Sequence, residues 1–463
     1  MFFSVAALAV LLSPPVELSV RTFKAEAFSI PRFAVQQRHL LHQSHGVESL
    51  HRLSAAEDNQ AIAEEKFSTA TELDDPNVPS AVRAPLKFIG PYPCMALRFP
   101  NLATESQRSR NQTGISLDFV LDTAANINTL QGQVVQELQL EVLEDSPALP
   151  GVSSSGPMSG GETYILGDSE LEGAQVLGEP IESDTAANDK KPFEFMQNLT
   201  AAALPVVNPG SAGLLGLAFF YCFEGGVEFQ WGASPIIQTQ ADEPRLVDGM
   251  VVEPNLSDQT SPSITFYGQN NDAQLQQSLS ELNRVSIDPI PLTQLPSVQL
   301  KVNGVEMIAL LDTGSPITVL NEQAAKAAGI QTTKEKFEKP AENDSGGWNP
   351  FASVVDKFKE AQATAEAASK GEILMIGGID GKPTNLYRST GLDGPTISLV
   401  STSGEDLQLG TSKTNGVYVG DIPGLAALNG IGVDSPPAVV LGLDALRKRP
   451  KMIFRPRENE LYV

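Results

Sequence analysis

Two twelve-residue stretches, 190 positions apart, share one frame. FVLDTAANINTL occupies residues 119–130 and ALLDTGSPITVL residues 309–320. Without a gap, Asp122 faces Asp312, Thr123 faces Thr313, Ile127 faces Ile317 and Leu130 faces Leu320. Each copy then enters a short helical pattern, QGQVVQELQL in the first and NEQAAKAAGI in the second. A later apolar-apolar-Gly run follows in each: GLLGLAFF carries Gly216 and VVLGLDAL carries Gly442. Each half closes on a strand pair, VEFQW with SITFYG and KMIFRP with ELYV. Four features repeated in one order describe a duplicated domain, so the chain is expected to fold as two similar lobes about a pseudo-two-fold axis.

The lobes should be all-β with a few short helices. A chain of 463 residues exceeds one comfortable domain, and its 38 Gly and 33 Pro favour many turns. Runs with strand character include KFIGPYPCMALRF, GISLDFVL, SITFYG, VQLKVNGVEMIALL, EILMIGG and VVLGL. Asn303-Gly304 predicts a two-residue hairpin turn, because both residues tolerate positive φ. Residues 354–369 are Ala-rich, without Gly or Pro, and read as a surface helix. The stretches 145–162, 178–192 and 232–262 read as loops.

Composition narrows the chemistry. A formal charge of −24 repels phosphate backbones and anionic lipid, so nucleic acid is not an expected partner. The four histidines, His39, His42, His45 and His51, sit together near the N-terminus. If that segment lies outside the folded body, Ser-His-Asp, Cys-His and His-based metal chemistry are all removed. Cys94 and Cys222 form no disulfide framework or metal set; a pairing with each other is one alternative, and buried free thiols are the expectation. No cofactor and no metal is implied.

The chain begins with the apolar run MFFSVAALAVLL, too short to span a bilayer and suited to a signal peptide over residues 1–27. The following segment contains Arg32, Arg38 and the histidines, and no acid before Glu48. With the Ala27-Phe28 junction, this resembles the bipartite plastid-targeting leader of diatoms and related algae; ordinary secretion with a pro-segment is the alternative. Residues 28–83 are then a transit peptide or linker, 84–285 the first lobe and 286–463 the second. After leader removal the protein is expected to be soluble.

An Asp ending a buried strand, followed by Thr and a small residue, makes a tight turn that presents a carboxylate. Two such turns meeting on a two-fold axis place two carboxylates side by side, where they share a proton and their pKa values separate. VNGVEMIALLDTGSPITVL, VYVGDIPGLAAL and VVLGLDALRKRPKMIFRPRENELYV resemble, in that order, the retropepsin-like branch of the pepsin/retropepsin aspartic proteases. The likeness spans most of residues 286–463; the first lobe is similar through FVLDTAAN and GLLGLAFF only. It implies two acid-protease β-barrel lobes and an aspartic endopeptidase acting on peptide or protein substrates. Asp122 and Asp312 would be the dyad, Thr123 and Thr313 a cross-link, and Gly216 and Gly442 the backing of the turns. With both halves in one chain the protein would work as a monomer. A family flap is sought in GGETYILG (160–167) and EILMIGGIDGKP (372–383).

The first triplet departs from the family in placing Ala124 where the second has Gly314. If the turn needs positive φ there, the strain is of order 1–2 kcal/mol; at negative φ the change is nearly silent. Ser315 follows the second triplet and Ala125 the first, so a hydroxyl bonded to Asp312 would make Asp312 the base and Asp122 the acid. Asp444 reads as structural, near a helix start, and Tyr164 as an exposed strand residue. Asn111, Asn198, Asn255 and Asn343 begin N-x-S/T sequons that matter only in the secretory pathway. A peptide-binding protein that has lost activity through Ala124 or a missing flap is one alternative; a carboxylate-pair glycosidase is another, opposed by the paired turns.

Overall fold

The computed structural model describes residues 2–3, 81–143, 149–153, 156–166, 174–176, 178–180, 193–196, 199–203, 210–232, 261–270, 272–291, 293–334, 364–377, 383–390, 394–409 and 416–463. The histidine cluster and nearly all of the predicted leader lie outside these residues. So do most of 178–192 and 232–262, residues 354–363, and the sequon residues Asn198, Asn255 and Asn343.

The architecture is mostly β-sheet with short helices, and the duplication reappears as duplicated strand pairing. In the first lobe, strand Tyr92–Phe99 runs antiparallel to Ile115–Leu121. Strand Gly213–Leu215 lies parallel to Ile115–Leu121 and antiparallel to Thr129–Leu130. Strand Leu199–Ala203 then pairs parallel with Thr129–Leu130 and antiparallel with Thr163–Leu166. The second lobe repeats each step. Pro296–Val302 is antiparallel to Val305–Leu311. Ala438–Leu441 is parallel to Val305–Leu311 and antiparallel to Val319–Leu320. Tyr418–Val419 is parallel to Val319–Leu320 and antiparallel to Pro383–Arg388. Strands paired in this way are covered on both faces, which is why VVL and GLL are unbroken apolar runs and wholly buried.

Local signals account for the connections. Asn303 and Gly304 sit at φ 49° and 81°, as a turn with two positive φ values requires. Helix Gly132–Leu138 ends on Gln139 in the left-handed region. Helix Glu322–Ala327 starts at Asn321, whose side chain accepts the Ala324 N–H at 2.8 Å. The end of the Ala-rich stretch, residues 364–369, is helical. Among the described residues, no helix is long and apolar enough to cross a membrane.

Two features differ from expectation. Residues 145–162 contain a β-hairpin, Leu149–Ser153 against Gly156–Gly161, where the sequence reads as loop. LPGVS and GPMSGG have poor strand propensity, so pairing across the turn, not composition, makes them strands. The second is the way the lobes join. The closing pair Gly226–Gln230/Ser263–Tyr267 does not stop at its own lobe: Gly226–Gln230 also pairs antiparallel with Lys451–Arg455 of the second lobe. Glu460–Tyr462 and Arg284–Pro289 extend this sheet on one side, and Ala81–Pro85, which starts within the segment read as linker, on the other. Joining the pairs gives partners to N–H and C=O groups that an edge strand would leave open. Aromatic packing seals the seam, with Phe220 edge-to-face on Phe454 at 5.6 Å. Arg455 crosses it too, donating to Gly225 O, Asn270 Oδ1 and Glu460 Oε2.

Candidate active site

Each predicted aspartate stands where a buried strand ends. Asp122 follows Ile115–Leu121, and its N–H donates to Leu215 O at 3.0 Å; Asp312 follows Val305–Leu311, and its N–H donates to Leu441 O at 3.1 Å. The chain then turns, with the Ala125 N–H reaching Asp122 O and the Ser315 N–H reaching Asp312 O, both at 3.4 Å. Asp122, Thr123, Asp312 and Thr313 are all fully buried.

The threonines tie the turns together. The Thr123 N–H donates to Thr313 Oγ1 at 3.1 Å, and the Thr313 N–H donates to Thr123 Oγ1 at 3.0 Å. Each hydroxyl passes its own proton across the axis, Thr123 to Leu311 O and Thr313 to Leu121 O, both at 2.8 Å. This four-bond brace links residues 190 apart and fixes the two carboxyl groups against each other. With a dyad so braced on duplicated strand–turn–strand units, the identity follows. This is the retropepsin/pepsin-like aspartic-protease fold.

Comparison with known families agrees: a model described as "Aspartyl protease" matches residues 298–368, which hold Asp312 and its turn. No curated protein gives a significant sequence match. Among solved structures, the chain is similar to conglutin gamma from lupine seeds at 12% identity and TM-score 0.37, covering 83% of this chain and 94% of that one. It is also similar to an aspartic proteinase from Irpex lacteus, at 11% identity and TM-score 0.36, covering 82% and 96%. Basic 7S globulin from soybean stands at 10% and 0.36, covering 83% and 94%.

Behind each aspartic-protease turn the glycines predicted as backing lie against backbone. A Cβ on Gly216 would fall 2.5 Å from Ala125 O, and one on Gly442 2.2 Å from Ile317 O. Both have negative φ, so the requirement is for space and not for backbone conformation. Two further residues of the site, Asn128 and Thr318, escaped the sequence reading. Asn128 Oδ1 accepts the Gly216 N–H at 3.0 Å, and Thr318 Oγ1 accepts the Gly442 N–H at 3.2 Å. The Thr318 hydroxyl in turn donates to half-buried Asp444 at 2.6 Å, which gives Asp444 its structural role in the first turn of helix Leu443–Leu446. The signal was present: Asn128 and Thr318 occupy the same column of the repeat, six residues after each Asp.

Burial pushes the Asp122 carboxyl up to about 6, against the N–H of Ala124, which donates to Oδ1 at 2.9 Å. Asp312 is raised well above the usual carboxylate range, first by burial and then by the charge of Asp122. Asp122 Oδ2 and both Asp312 oxygens are buried without a hydrogen-bond partner in the protein. Two buried carboxyl groups placed together cannot both ionise easily.

Several expectations are corrected or resolved. Ala124 is not among the residues with positive φ, so its Cβ brings no backbone strain. The Ser315 hydroxyl donates to Ile317 O at 2.8 Å, not to Asp312, which removes the ground for making Asp312 the base. Tyr164 is buried, its hydroxyl donating to Glu162, because its ring packs into the main hydrophobic core. Cys94 and Cys222 are both free thiols; Cys94 is buried and Cys222 half-buried. Of the flap segments, GGETYILG takes in the end of hairpin 149–161 and the strand after it. EILMIGGIDGKP forms most of the hairpin between Ile373–Gly377 and Pro383–Arg388, with 378–382 outside the described residues. Each lobe therefore holds a hairpin between its Asp and its backing Gly.

Proposed function

We propose that this protein is an aspartic endopeptidase that hydrolyses peptide bonds with a water activated by Asp122 and Asp312. The observation that carries the reading is the four-bond threonine brace, which holds two buried carboxyl groups together where three of their oxygens meet no protein donor. The ionised member takes a proton from water as the water oxygen attacks the peptide carbonyl carbon. The neutral member donates a hydrogen bond to the carbonyl oxygen, which becomes the hydroxyl of a tetrahedral diol. Collapse of the diol breaks the C–N bond as the leaving nitrogen gains a proton from the dyad, which is restored to one proton.

The test is casein digestion by the full chain across pH 3–8, with and without pepstatin, beside Asp312→Ala. Pepstatin-sensitive cleavage that vanishes in Asp312→Ala is expected. An intact fold that binds peptide yet cleaves at no pH would replace the enzyme with a peptide-binding protein. Because both halves of the dyad lie in one chain, we propose that the active species is a monomer, which activity in the monomer peak of a sizing column would support. The leader points to plastid delivery; a leader–fluorescent-protein fusion that is secreted from an algal host would overturn that assignment.

A further inference from the structure

The two turns agree in their backbones and disagree in their carboxylates. Matched bonds differ by at most 0.2 Å: 3.0 and 3.1 Å from each Asp N–H, 3.4 and 3.4 Å across each turn, and 2.7 and 2.9 Å where Leu217 and Leu443 donate to Ala125 O and Ser315 O. The threonine brace is equally symmetric. Yet Asp122 Oδ1 accepts a turn N–H at 2.9 Å, while neither oxygen of Asp312 has a donor in bonding geometry. The Gly314 and Ser315 N–H groups favour the Asp312 anion, but neither closes a bond.

Backbone geometry therefore does not separate the two carboxylates. Nor does the Ser315 hydroxyl, which is committed to Ile317 O. The remaining difference inside the turns is Ala124 against Gly314. A Cβ on Gly314 would lie 2.4 Å from Asp122 Cγ, 2.5 Å from Oδ2 and 2.7 Å from Oδ1. The Asp122 carboxyl thus rests directly on the bare Cα of Gly314. The two-fold equivalent seat for Asp312 lies on Ala124, and there the methyl is real and fully buried. Carbon and oxygen do not approach that closely, so Asp312 is denied the seat that Asp122 enjoys.

We propose that the Ala124 methyl group positions the dyad: it holds the Asp312 carboxyl off its own turn, making Asp312 the keeper of the shared proton and Asp122 the ionised partner that activates water. This deepens, and rests on, the two-carboxylate reading above. The titratable group acting on each carboxyl is the other one; the further influences are burial and the N–H groups of residues 124, 125, 314 and 315.

The experiment follows aspartate carboxyl ¹³C signals of the full chain from pH 3 to 9, assigned with Asp122→Asn and Asp312→Asn. In the wild type, Asp122 should dominate the lower titration step and Asp312 the upper. Ala124→Gly should bring the upper step down by about one pH unit and spread both steps over the two residues, since Asp312 regains its turn N–H. Ala124→Ser retains the Cβ and should titrate as the wild type does. An upper step dominated by Asp122, an Ala124→Gly protein that titrates unchanged, or an Ala124→Ser protein that behaves like the glycine variant would overturn the proposal. The signals read protons and not turnover, so a protein that never cleaves would defeat the endopeptidase reading while leaving this result intact.

Discussion

Replacing Thr313 by Val removes a hydroxyl and leaves the side-chain shape nearly unchanged. That hydroxyl donates to Leu121 O at 2.8 Å and accepts the Thr123 N–H at 3.1 Å. Both orphaned groups belong to fully buried residues with no access to water. A buried donor or acceptor left unpaired costs roughly 1–3 kcal/mol, so the two together cost about 2–6 kcal/mol. Against a typical stability of roughly 5–15 kcal/mol, that is a large fraction. Thr313→Ser retains both bonds and gives up one methyl group, about 1 kcal/mol. Urea unfolding followed by fluorescence would give the three stabilities, and peptide cleavage by the same samples would show whether the dyad keeps its geometry. A Thr313→Val protein as stable as the wild type, or a Thr313→Ser protein as damaged as Thr313→Val, would refute the brace as a source of stability.

The dyad should also make stability fall as pH rises. Asp122 is raised from 3.8 to about 6 in the folded state, so the folded form binds more protons between those values; its contribution is present below about 4 and lost as pH climbs through about 6. The shift corresponds to on the order of 3 kcal/mol, and because burial is its first cause, Asp122→Asn, which removes the titrating group, should flatten this part of a urea-midpoint-against-pH curve. Gly216→Ala and Gly442→Ala should each abolish soluble expression, because the added methyl would lie 2.5 Å and 2.2 Å from a backbone oxygen; recovery of either as folded, monomeric protein would contradict the packing. Burial pushes the Cys94 thiol up to about 12 and that of Cys222 to about 11. Native protein at pH 8 should therefore resist alkylation, and denatured protein should take up two equivalents, as a thiol titration would show.

The sequence alone determined which residues belong together and in what order. The two Asp-Thr triplets, their hydrophobic lead-in strands, the glycines behind them and the Asn303-Gly304 turn are all local patterns, and local patterns survive in one dimension. The column holding Asn128 and Thr318 was equally visible, but its role was not, since accepting a glycine N–H from a distant strand has no local signature. Ser315 illustrates the converse: a hydroxyl beside a carboxylate can bond to it, and only the turn geometry sends it to Ile317 O instead. The hairpin at 149–161 and the seam joining Gly226–Gln230 to Lys451–Arg455 depend on which strand edges meet, a long-range choice that propensity does not encode. Ala124 shows the division most clearly. Its sequence neighbours raise the question of backbone strain, and the fold replaces it with a question of contact, because the methyl acts on a carboxylate from the other half of the chain.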